Sequence, residues 1–174
     1  SMQFENKFVL GSAQFGMKYG IANLTGSPNQ AEIDSLIDLA NLNDIKKIDT
    51  AWNYGDSERK IGKYLRKTKN KNFIITTKVK LNDIPLKTQF EHSLKMLNCA
   101  HVNLLAHSFE TYVSNEFQKI VNLGKKNGII LKHGVSLYEK NEIIKILDMS
   151  FRPDIIQVPI NILDNRFYCD GTLK

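Results

Sequence analysis

Four polar residues, each closing a short apolar run, recur along this chain at one interval. Asp49 closes the run at 47–48, Lys78 the run at 73–77, His107 the run at 102–106 and Ser136 the run at 134–135, and each lies 29 residues beyond the one before. Brief apolar runs bounded by polar or turn residues read as buried strands. A closed barrel built from eight strand-and-helix units takes about 31 residues per unit, and its functional groups sit at the carboxyl ends of the strands. The interval therefore predicts an α/β chain of parallel strands whose last residues point at a common centre. Tyr54, five positions past Asp49, falls in the loop that follows such a strand and faces the same pocket.

Residues 8–16 read as a first strand running into a glycine-punctuated loop that extends to Gly20. Ser27, Pro28 and Gln30 have the pattern of a capping box opening a helix. Its inward stripe is Ile33, Leu36, Ile37 and Ala40. Asp56 or Ser57 caps the next helix, which buries Ile61 and Leu65 and packs closely at Gly62. The strand at 73–77 is followed by a helix after Pro85 with Leu86, Phe90, Leu94 and Leu97 inward, and residues 108–112 read as a loop. A helix from Ser114 turns Phe117, Ile120 and Val121 inward; beyond the strand at 131–136, Ile143, Ile144 and Leu147 mark another. Residues 155–161 read as a sixth strand.

Six strands fall short of the eight that closure needs. The expectation is that residues 1–174 are about the first three quarters of a barrel domain, with strands seven and eight absent. Strands one and six would then present unpaired edges open to self-association.

Composition narrows the class of partner. The net charge of +6 comes from lysines scattered singly and in pairs, which reads as a solvated surface and gives no ground for nucleic-acid binding. Cys99 and Cys169 form no CxxC or metal-ligand spacing, which reads as a cytoplasmic chain with reduced thiols. No apolar run approaches the ~20 residues that span a bilayer. His92, His101 and His133 lack partners at ligand spacing, so they read as structural and no metal is expected.

A polar pocket that hands a proton to a bound oxygen needs an acid whose pKa lies near the working pH. Free tyrosine, with a pKa of about 10, is a weak acid for that task. A neighbouring ammonium favours the tyrosinate, and a carboxylate keeps the ammonium charged and oriented. Tyr54, Lys78 and Asp49 fit those three roles, and a neutral His107 can donate a hydrogen bond to an oxygen on which negative charge builds. Taken singly, Asp49 and Lys78 are equally a structural ion pair, His107 a satisfied core histidine and Tyr54 a loop aromatic. Lys78 at a strand end is also where a Schiff-base nucleophile can stand. Trp52 and Phe15 can wall an apolar slot or pack as core.

The ordered set of Asp49, Thr50, Ala51, Tyr54, Gly55, Ser57, Glu58 and Gly62, then Thr77 and Lys78, then Leu104, Leu105, Ala106 and His107, resembles the aldo-keto reductase family of NADPH-dependent barrel enzymes. The resemblance implies reduction of a small aldehyde or ketone, with NADPH preferred over NADH. It implies Tyr54 as general acid, Lys78 and Asp49 as its tuning pair, and His107 as substrate orienter. It also implies cofactor contacts from Ser12 and Ala13 at the nicotinamide ribose, from Ser136 and Gln157 at the carboxamide, and from Asp49. Asn161 matches a further family position. Leu137 departs from the pattern, since family members commonly carry Asn there. The seventh and eighth units hold most family contacts to the cofactor phosphates, so residues 1–174 alone are expected to turn over weakly or not at all. A non-catalytic NADP(H)-binding sensor or partner-docking subunit is the alternative on the same fold.

Overall fold

The computed structural model describes residues 9–11, 28–68 and 72–158. Six strands form one sheet: β1 (Val9–Gly11), β2 (Lys47–Asp49), β3 (Ile74–Val79), β4 (Val102–Ala106), β5 (Ile130–Ser136) and β6 (Ile155–Gln157). Their spatial order follows the chain, and every neighbouring pair is parallel. Parallel neighbours require crossover connections. These are made by α1 (Gln30–Leu42), α2 (Ser57–Lys67), α3 (Leu86–Leu97), the short α4 (Phe109–Val113), α5 (Asn115–Lys126) and α6 (Lys140–Leu147).

Side chains alternate between the two faces of a strand. On one face, Ile48, Ile75, Val79, Leu104, Ala106 and Val135 join Ile33, Ile37, Ile61, Leu65, Phe90, Phe117, Val121, Ile143 and Ile146 of the helices in one apolar core. Asp49, Lys78, Leu105 and Ser136 fall on the other face. That face curls inward. A flat sheet would hold β2 and β6 roughly 19 Å apart, four strand spacings, yet Gln157 Nε2 donates to Asp49 Oδ1 at 2.9 Å. The strand ends thus turn toward one another, as in part of a (β/α)8 barrel.

Several local expectations are corrected. Helix α1 starts later than Pro28, because Asn29 is the cap and its side chain accepts from Glu32 N at 2.9 Å. Gln30 instead donates to Asp34 and to Lys60 O. Leu36, expected inward, is exposed beside the buried Ile37. Residues 108–112 are not an open loop. Ser108 caps α4, and coiling there brings Tyr112 into the core with its hydroxyl donating to Phe151 O at 2.6 Å. In α6 the inward pair is Ile143 and Ile146, at i, i+3, and Ile144 faces out. Strand β5 carries one extra residue opposite β4 between Val102 and Leu104, and the Asn103 side chain accepts from Lys132 N there. Of the sixth strand expected at 155–161, β6 takes Ile155–Gln157, and residues 159–161 lie outside the described residues.

Close packing of α2 on α3 depends on Gly62. A Cβ built there would stand 1.8 Å from Met96 O, a backbone atom that cannot swing away. Gly62→Ala should therefore force the two helices apart and destabilise the protein by ~1–3 kcal/mol despite the better helix propensity of alanine. Urea denaturation of the variant against the parent measures this, and an unchanged midpoint would contradict the packing described.

Candidate active site

Strand β2 ends at Asp49 and β3 carries Lys78 next to it. Beyond β2 the chain stays stitched to β3, with Thr50 N donating to Thr76 O and Trp52 N to Lys78 O. A tight turn follows, closed by Tyr54 N on Ala51 O and by Gly55 at φ 55°, where glycine carries no steric cost. This turn brings the Tyr54 ring back over the strand ends. His107 follows β4 directly, its N–H donating to Val79 O at 2.9 Å.

Lys78 is 2% exposed, and its Nζ donates to Asp49 Oδ2 at 2.6 Å and to Thr50 O at 3.1 Å. The same ammonium stands 5.6 Å from the centre of the Tyr54 ring. The Tyr54 and His107 rings meet edge to face with centroids 5.8 Å apart. Asp49 uses its second oxygen to accept from Gln157, and Ser136 Oγ donates to Gln157 Oε1 at 3.3 Å. Asp49, Tyr54, Lys78, His107, Ser136 and Gln157 are therefore one cluster. Ser12, Ala13 and Asn161 lie outside the described residues, as does Phe15.

Burial sets the electrostatics. It pushes the Lys78 ammonium below the ordinary lysine range, and the Asp49 carboxylate pushes back. His107 is pulled down to about 4, first by burial and then by the positive charges of Lys78 and Lys80, with Asp49 opposing. Its imidazole is neutral near pH 7, and its buried Nδ1 has no hydrogen-bond partner among the described residues.

A second polar cluster behind the site escaped the sequence reading. Glu58, in the first turn of α2, is buried and accepts from Thr77 Oγ1 at 2.6 Å and Ser93 Oγ at 2.9 Å, which ties α2 to β3 and α3. Burial raises its carboxyl above the usual range, against the two hydroxyl donors. Thr50 and Ser57 share a further hydrogen bond at 3.0 Å. The signal was present in the adjacent Ser57 and Glu58, but their hydroxyl partners are far away in sequence.

Trp52 lines a cavity of about 160 Å³ with Asp56, Arg59, His92 and Met96, and neither Tyr54, Lys78 nor His107 is among its lining residues. His133 lies on the helix-facing side of β5, stacked on Phe151 at 4.7 Å, with Nδ1 3.1 Å from Asp154 Oδ2. Among the described residues no three His, Cys, Asp or Glu side chains gather as a metal site, and no helix is long and apolar enough to cross a membrane.

Residues 7–169 match the sequence profile of the Aldo/keto reductase family. No curated protein matches the chain. Among solved structures, the chain is similar to a Pseudomonas aeruginosa protein classed as an aldo-keto reductase, with 26% identity and a TM-score of 0.72 over 86% of this chain and 61% of that one. A thermostable aldo-keto reductase solved with the inhibitor epalrestat has 25% identity and a TM-score of 0.68, over 95% of this chain and 62% of its own. An aldose reductase from Giardia lamblia, at 16% identity and a TM-score of 0.69, shares the fold over 99% of this chain and 64% of its own. The chain thus spans less than two thirds of the length of each.

The His107 environment predicts a pH dependence. The folded state holds the imidazole neutral down to about pH 4, whereas the unfolded residue takes up a proton near 6.5. Between those values the unfolded state binds more protons, so the contribution is complete above about 6.5 and is lost as pH falls toward 4. Stability measured by denaturation across that window should fall less steeply in His107→Gln than in the parent. Equal slopes, or an NMR titration of His107 near 6.5, would contradict the assignment.

Proposed function

The chain belongs to the aldo/keto reductase family, and on that premise we propose that it forms the acid–base half of an NADPH-dependent reductase of small aldehydes or ketones. The observation that carries this reading is the double placement of the Lys78 ammonium, 2.6 Å from Asp49 and 5.6 Å from the centre of the Tyr54 ring. When bound, the nicotinamide cofactor supplies the hydride.

As hydride reaches the carbonyl carbon, negative charge collects on oxygen. The Tyr54 hydroxyl gives that oxygen its proton. Lys78 stabilises the phenolate left behind, and Asp49 holds Lys78 charged and in place. His107, neutral and edge-on to Tyr54, has one ring N–H to offer the carbonyl oxygen as charge builds. Donation from a preset side chain costs no reorganisation during the reaction. The closeness of Asp49 to Lys78 also speaks against a Schiff-base role, which needs a neutral amine.

Ser136 and Gln157 fit the carboxamide end of the cofactor, since a hydroxyl and a primary amide between them offer donors and acceptors. Asp49, hydrogen-bonded to Gln157, links that end of the site to the proton donor. Ser12 and Ala13 are proposed for the ribose. Because the chain covers 55–64% of the length of its structural neighbours, residues 1–174 alone are proposed to hold the cofactor weakly.

One observation favours a second reading. Leu137 is wholly buried in the apolar core and gives a carboxamide nothing to bind. An NADP(H)-binding sensor without turnover would tolerate that loss.

Tyr54→Phe separates the two. In the protein that carries this chain, the substitution should lower kcat by ~10²–10⁴-fold while NADPH affinity, read by nucleotide fluorescence, holds steady. Reduction of an aldehyde panel at the parent rate would end the general-acid assignment. Tight nucleotide binding by the parent with no turnover of any aldehyde would favour the sensor.

A further inference from the structure

Lys80 directly follows β3, the strand that supplies Lys78, and beyond its effect on His107 it has no part in the site described above. The β3–β4 register pairs Val79 with Ala106. His107 N donates to Val79 O at 2.9 Å, so Lys80 is the residue next to the one that holds the His107 backbone. Lys80 therefore sits at the carboxyl end of β3, the end of the sheet where Lys78 and His107 stand.

Its backbone is held there. The wholly buried Gln89 accepts from Lys80 N at 3.0 Å and donates to Lys80 O at 2.8 Å, and it also donates to Ile84 O at 2.9 Å. The side chain is exposed, and among the described residues no ion pair includes its ammonium. Its charge is nonetheless felt by the His107 imidazole. An ordinary surface lysine is mobile and faces bulk water, whereas this one is set on a fixed backbone beside the group assigned to hold the carbonyl.

We propose that Lys80 recognises an anionic group on the substrate, so that the site prefers aldehydes or ketones carrying a carboxylate or a phosphate near the reacting carbonyl. The proposal rests on the reductase reading above. The carbonyl would lie at His107 and Tyr54, with the anion one side-chain length toward the rim, where solvent access lets it exchange.

The protein that carries this chain is assayed with NADPH on two matched pairs: 4-carboxybenzaldehyde against 4-methylbenzaldehyde, and glyceraldehyde 3-phosphate against glyceraldehyde. The parent should prefer the anionic member of at least one pair. Lys80→Met should lower kcat/KM for that member by about 10-fold through KM, a change of ~1.4 kcal/mol, and leave its neutral partner unaffected. The pair that responds names the anion. An anionic-to-neutral ratio unchanged by Lys80→Met overturns the proposal. So does a rise in the KM for NADPH with that ratio constant, which would assign Lys80 to a cofactor phosphate.

A calorimetric titration with terephthalate and with inorganic phosphate needs no turnover. Binding of either that is lost in Lys80→Met supports the anion site even if no aldehyde is reduced, an outcome that would fault only the reductase reading. Equal binding of both probes to parent and variant overturns the anion site. Lys80 is exposed, so the variant is expected to fold, and its circular dichroism and melting temperature check this.

Discussion

The contact between Lys78 and Asp49 is the constraint that the rest of the structure answers to. An ammonium this deeply buried is costly unless it is paired and its remaining protons have acceptors. Asp49 and Thr50 O meet that need from β2 and the residue after it. Asp49 is itself held by Gln157 from the far side of the sheet. One charge pair thus draws on β2, β3 and β6, and the curl of the sheet and the order of the site are the same fact seen at two scales. Tyr54 and His107 then meet edge to face beside the ammonium, and burial together with that charge keeps the imidazole neutral near pH 7.

The helix side of the sheet supports this arrangement. Thr77 and Lys78 are adjacent and point to opposite faces, so the hydrogen bond from Thr77 to buried Glu58 steadies the strand from behind while Lys78 pairs with Asp49 in front. Glu58 extends the tie to Ser93 on α3, and Gly62 lets α2 lie close enough for that bond to form. The loop carrying Tyr54 leads directly into α2. The position of Tyr54 therefore depends on how tightly α2 packs, a link between core packing and the site that no residue at the rim reveals.

Much of this was legible in the sequence because a regular repeat leaves a regular trace. Asp49, Lys78, His107 and Ser136 recur at one interval since each unit adds a strand and a helix of similar length, and their convergence is a consequence of that geometry. Family membership and the partial-barrel fold followed the same trace. What the sequence hid was set by tertiary partners. Ser108 to Tyr112 coiled because Tyr112 had a core site and Phe151 O to meet. Leu36 and Ile144 each neighbour a buried isoleucine, and a stripe read from spacing alone cannot say which of two adjacent apolar residues turns inward. Glu58 looked like part of a motif, and only Thr77 and Ser93, 19 and 35 residues away, give its carboxylate a reason to be buried.

The central claim is that buried Lys78 and half-buried Asp49 form one mutually dependent pair, and a double-mutant cycle on stability tests it most directly. Asp49→Asn alone should cost about 3 kcal/mol by stranding a buried ammonium. Combined with Lys78→Met, it should add little to the cost of Lys78→Met alone, giving a coupling of ~2 kcal/mol or more. Costs that simply add, with coupling below ~0.5 kcal/mol, would mean that the two groups do not depend on each other, and the site as described would not exist.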